Sequence, residues 1–105
     1  MEKKFTKVMF GEVDYLTDMV TGIMTREKDD KDNGRDFKDI HCKRLHYIEG
    51  RESELESILD EMRDSIDEIH KGVLWDMLKD LDSYIKIAQS LIGDRKIAED
   101  VKKTL

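Results

Sequence analysis

Cys42 and His46 stand at i, i+4, the spacing that lets a thiolate and an imidazole on one helix face reach the same soft metal ion. Asp39 and Glu49 fall on that face too when the segment is wound at about 100° per residue. Two strong donors on one helix leave a tetrahedral site half built, and the other histidines are only His41 and His70. Asp67-x-x-His70 departs from the Glu-x-x-His pair of di-iron carboxylate bundles. A metal-binding bundle held by Cys42 and His46 is therefore a secondary reading, and no metal or other cofactor is expected. The acids of segment 29–36 do not make a calcium loop. With Gly34 at the sixth position of an EF-hand, Lys31 and Ile40 occupy the third and twelfth, where oxygen ligands are required.

Paired carboxylates could also hold Mg²⁺ against a triphosphate. Glu49-Gly50-Arg51-Glu52 and Glu61-Met62-Arg63-Asp64 have the internal spacings Glu-x-x-Glu and Glu-x-x-Asp. In those residues the chain resembles the all-α nucleoside triphosphate pyrophosphohydrolases of the MazG type, whose chains are similar in length. That resemblance implies an Mg²⁺-dependent hydrolase. The chain departs from the family pattern in that the two pairs lie close together on one expected helix, and Asp76 and Asp80 beyond it have the wrong spacing. The enzyme is thus the alternative, and the leading expectation is a non-enzyme with no catalytic residue.

The feature with more content is a run of like charges. Glu56, Asp60 and Asp64 follow at i, i+4, Glu68 continues the interval and Asp67 lies beside them. On a continuous helix each such pair costs about 0.2–0.5 kcal/mol, with Asp67 to Lys71 the one favourable partner near the end. Solvent and salt could absorb that cost. A basic partner surface would offset it more specifically. Trp75 projects away from the mean apolar direction of its segment, which suits a binding anchor. Packing over the turn or on the first helix is the plainer role. Glu56, Asp60, Asp64, Asp67, Glu68 and Trp75 are the expected partner-binding residues.

The elements that must position these groups follow from composition and periodicity. The chain has 105 residues, no proline, few glycines and 42% charged side chains, which permits long helices and argues against a turn-rich β-sandwich. The fold class expected is all-α, a small helical bundle built on a long antiparallel helical hairpin, as a single domain over 1–105. Phe5, Val8, Met9, Val13, Leu16, Met19, Val20, Ile23 and Met24 form one face of a first helix over about 3–28, with an extended start through Phe5–Phe10 as the alternative. Segment 29–35 has no apolar residue and contains Asn33-Gly34, a turn signal.

Asp36 is the expected N-cap of a long helix over about 36–71, its stripe made of Phe37, Ile40, Ile48, Leu55, Leu59, Met62, Ile66 and Ile69. His41, Arg44 and Arg51 interrupt that stripe on its apolar side. The phase is unbroken across Gly50, where a glycine costs only about 1 kcal/mol, and a kink there is the alternative. His70-Lys71-Gly72 reads as a helix end, followed by a helix over about 73–92 whose stripe is Val73, Leu74, Met77, Leu78, Leu81, Tyr84, Ile85, Ala88, Leu91 and Ile92. The competing reading runs straight through Gly72. Gly93 and Asp94 then introduce a last helix over about 94–104, with Ile97, Ala98, Val101 and Leu105 packing back.

Charge distribution excludes some partners. The net charge is −6, and residues 49–82 hold 12 acids against 4 bases while residues 1–48 hold 10 of each. A phosphate-binding basic patch is absent, so no nucleic acid is expected. The single cysteine excludes an intrachain disulfide, and no segment approaches the roughly 18 apolar residues of a membrane span, so a cytoplasmic protein is expected. Two paired helices leave one flank of each stripe wet, so self-association into a dimer is expected. Together these give a non-enzymatic interaction module, a regulator, inhibitor or adaptor, with coiled-coil-like stripes inside and an acidic helix face for a protein partner.

Overall fold

The computed structural model describes residues 2–62 and 64–104, and the side-chain surroundings of 6–62 and 64–104. Three helices follow one another: α1 (Glu2–Asp32), α2 (Ile40–Glu61) and α3 (Glu68–Thr104). The fold is an all-α helical bundle, and among the described residues there is no strand.

α1 is continuous through Gly11 and Gly22 and runs four residues past the expected end at Lys28. The added turn holds because its acids acquire partners. Arg35 Nη1 lies 3.1 Å from both Asp29 Oδ2 and Asp30 Oδ1. The Asn33-Gly34 signal marks the stop: Gly34 takes φ 66°, its N–H donates to Lys31 O at 3.1 Å, and the Arg35 N–H donates to Asp30 O at 2.8 Å. These two bonds form a Schellman motif, which uses the left-handed conformation that glycine adopts without a Cβ penalty.

The helix expected over 36–71 is shorter, and its turn lies elsewhere. Asp36 is not its cap; α2 begins at Ile40 because Phe37 turns inward and packs against the core. Helix α2 passes Gly50 and ends at Glu61, and the chain reverses over residues 62–67, not at Gly72. Asp67 caps α3: its Oδ1 accepts the Ile69 N–H at 3.0 Å. Gly72 and Gly93 both lie inside α3, which is one helix of 37 residues where a helix, a turn and a second short helix were expected.

The physical reason for the displaced turn lies in the acids. A helix through residues 56–68 would stack Asp60, Asp64 and Glu68 at i, i+4, each step repulsive. Reversal at 62–67 removes those stacked pairs and carries Asp67 and Glu68 to the N-terminus of α3, where the helix dipole favours negative charge. Ile66 is buried within the turn and anchors it.

The helices run up, down and up. Glu27 meets His41 and Glu12 meets Arg51, so α1 and α2 are antiparallel. Glu49 meets Gln89, so α2 and α3 are antiparallel, whereas Phe10 packs edge-on against His70 and Glu27 pairs with Arg95, so α1 and α3 are parallel. Met9, Val13, Leu16, Val20 and Ile23 of α1, Leu45, Ile48, Leu55 and Leu59 of α2, and Leu74, Leu78, Leu81, Ile85, Ala88 and Ile92 of α3 make one buried cluster. Each fully buried leucine or isoleucine there contributes about 1.5–3 kcal/mol. The main stripes thus cover one another within a single chain. Val8, Ile40, Ile69, Val73 and Tyr84, expected on the buried stripes, are exposed, as are Ile97, Ala98 and Val101, expected to pack back. Phe5's side chain and Leu105 lie outside the described residues. No helix among the described residues is long and apolar enough to cross a membrane.

Candidate functional site

Three polar groupings stand out. The first is the α2–α3 turn. Asp60, Glu61, Asp64, Asp67 and Glu68 are all exposed there, and Glu56 is half-buried one turn earlier on α2. Asp67 is engaged by its capping bond and by His70 Nδ1 at 3.8 Å, not by Lys71. Among the described residues, Asp60, Glu61, Asp64 and Glu68 have no cation within 4 Å. Of the six sequence-derived residues, five therefore gather around one end of the bundle, though as a turn and two helix ends, not one helix face. Trp75 is half-buried and packed against the core.

The second grouping is the seam between α2 and α3. Glu52 is 7% exposed, and its Oε2 has no hydrogen-bond partner. Burial, with Asp82, Glu56 and Glu49 nearby, pushes its carboxyl up to about 7. Asp82 is paired with Lys86 Nζ at 3.0 Å, and Glu49 Oε1 accepts from Gln89 Nε2 at 2.6 Å. The two pairs compared with MazG-type enzymes are therefore separated: Glu49 and Glu52 border the seam, while Glu61 and Asp64 lie at the turn, about 14 Å further along the chain at helical rise. Among the described residues no group of three or more His, Cys, Asp or Glu side chains could hold a metal ion. Cys42 is half-buried against the core, whereas His46 is exposed and 4.0 Å from Glu49.

The third grouping was not anticipated. Glu27 is 1% exposed, His41 4% and Arg95 9%, one from each helix. Glu27 Oε1 meets His41 Nδ1, and Glu27 Oε2 lies 3.5 Å from Arg95 Nε. Arg95 also donates to Glu27 O at 3.3 Å and to Arg35 O, closing the α1–α2 loop onto α3. Beside it, the Arg35 guanidinium holds the Asp30 carboxyl below the usual carboxylate range. The signal in the sequence was phase: Glu27 follows Val20 and Ile23, and Arg95 follows Ala88 and Ile92, at core intervals. Buried polar groups held together in this way can fix which helices meet and in what register.

No protein-family model, curated protein or solved structure gives a significant match to the chain.

Proposed function

We propose that the chain is a non-catalytic interaction module, acting in the cytoplasm as a regulator, inhibitor or adaptor, that docks its acidic α2–α3 end onto a basic protein surface. The observation supporting this reading is the set of four exposed carboxylates, Asp60, Glu61, Asp64 and Glu68, without a cation among the described residues. A cationic partner would neutralise them, and steering by such a patch raises association rates at low salt. Trp75, half-buried about two turns into α3, is the apolar contact this interface would include.

The test is calorimetric titration of the chain with a short oligolysine peptide at low ionic strength. Asp60→Lys with Asp64→Lys is expected to weaken binding by about tenfold or more, while Asp14→Lys with Asp18→Lys on α1, an equal change in net charge, has a much smaller effect. Equal losses in both double variants would reduce the acidic end to bulk charge and remove the proposal. Far-UV circular dichroism confirms that the helices persist.

A further inference from the structure

Among the described residues, the guanidinium groups of Arg35, Arg51 and Arg95 are paired with carboxylates, whereas those of Arg26 and Arg44 have neither an ion pair nor a hydrogen bond. Both unpaired arginines line one open groove of about 360 Å³ on the seam between α1 and α2. Its apolar lining is Tyr15, Met19 and Ile23. Gly22 keeps the middle open, since a Cβ added there would meet nothing within 4 Å. Asp18 lies at the groove as well, and two arginines against one aspartate leave it net positive in a chain of net charge −6.

The start of α3 carries the opposite surface. Ile69 is 74% exposed, and Val73 one turn on is 44% exposed. Glu68 and Asp76 flank this apolar pair, both exposed and without a cation within 4 Å among the described residues. One molecule cannot bring its own two surfaces together. Phe10 packs level with His70, and Gly22 lies about 18 Å further along α1.

We propose that the α1–α2 groove receives the acidic start of α3 from a second copy, Ile69 entering beside Gly22 and the carboxylates of Glu68 and Asp76 reaching Arg26 and Arg44. This rests on the acidic-end reading and names the basic surface that reading requires. Guanidinium and carboxylate groups form paired, charge-assisted hydrogen bonds. An apolar centre with polar groups at its rim is the usual anatomy of a protein interface. Each copy joined in this way keeps one groove or one α3 surface free, so the contact is heterologous and extends head to tail.

Sedimentation velocity on the full chain from about 10 to 500 µM at low salt is expected to show an average mass rising past twice the 12.4 kDa chain mass. Gly22→Leu fills the groove, and Arg26→Glu with Arg44→Glu reverses its charge. Each should weaken association by about tenfold or more. Lys28→Glu with Lys31→Glu, an equal change in net charge outside this groove, should have a much smaller effect. Ile69→Asp should stop growth on its own, yet form a one-to-one complex when mixed with the arginine double variant, which keeps its α3 surface. A monomer throughout the range, an assembly that stops at the dimer, no complex in that mixture, or equal losses in the arginine and lysine pairs overturns the proposal. Oligolysine separates this failure from that of the acidic-end reading. A chain that stays monomeric but still loses oligolysine binding on Asp60→Lys with Asp64→Lys refutes the head-to-tail contact alone. Circular dichroism of each variant excludes unfolding as the cause.

Discussion

Glu52 of α2 faces Asp82 of α3 across their seam, a buried carboxyl beside a second carboxyl that has a cation, Lys86, while Glu52 has none. Its folded-state pKa of about 7 lies above the ordinary value of 4.5. Between those values the folded chain holds a proton that the unfolded chain releases. The stability this group contributes is therefore complete below pH 4.5 and is lost as pH rises through 7. Thermal melts from pH 5 to pH 8 should show the midpoint falling, corresponding to a loss of stability on the order of 1–2 kcal/mol at this partly screened seam. Glu52→Gln, neutral throughout, should flatten the dependence. A midpoint that rises over this range in wild type would contradict the assignment.

The Glu27–His41–Arg95 triad makes a different prediction, one of coupling. Arg95→Met leaves Glu27 buried without its guanidinium and should cost about 3–5 kcal/mol in urea unfolding. Glu27→Leu with Arg95→Met removes both charges and should recover most of that loss. If the two changes simply add, the residues are not a coupled unit and the register role assigned to them is wrong.

How much of this was legible before the structure divides along the kind of force involved. The all-α class, most of the face of α1 and the passage through Gly50 follow from hydrophobic period, which acts locally, whereas the end of α1, expected at Lys28, lies at Asp32 because the acids of its last turn find partners. The α2–α3 reversal depends on a weaker balance. The stripe keeps its phase from Ile69 through Val73, so periodicity cannot choose between Gly72 and residues 62–67. What decides is the repulsion among Asp60, Asp64 and Glu68 together with the capping value of Asp67, each on the order of 1 kcal/mol or less. The ionic triad was harder still. Glu27 and Arg95 are 68 positions apart, and their charges in core phase look like interruptions until the third helix is in place.

Glycine substitutions test the corrected boundaries directly. At Gly72 and Gly93 an added Cβ meets nothing within 4 Å and neither glycine has positive φ. Gly72→Ala and Gly93→Ala should each stabilise the bundle by about 0.5–1 kcal/mol, as alanine does inside a helix. Gly34 at φ 66° is in equally open space but in a conformation alanine resists, so Gly34→Ala should cost about 1 kcal/mol. A turn at Gly72 would give the same sign there as at Gly34, which chemical denaturation can read.

The acidic run can be separated into structural and free charges in the same way. Asp67→Ala removes a cap and should destabilise by about 1 kcal/mol, while Asp67→Asn, which keeps the accepting oxygen, should cost much less. Asp60→Ala and Asp64→Ala remove exposed acids without a cation among the described residues, so they should be neutral or slightly stabilising, most visibly at low salt. Denaturation midpoints at two ionic strengths distinguish these cases. If Asp60 and Asp64 destabilise on removal as Asp67 does, all three serve the fold, and little charge at this end is left to recognise a partner. If only Asp67 does, the carboxylates at 60, 61, 64 and 68 are exposed for a reason that stability does not supply, and the binding titration becomes the deciding measurement.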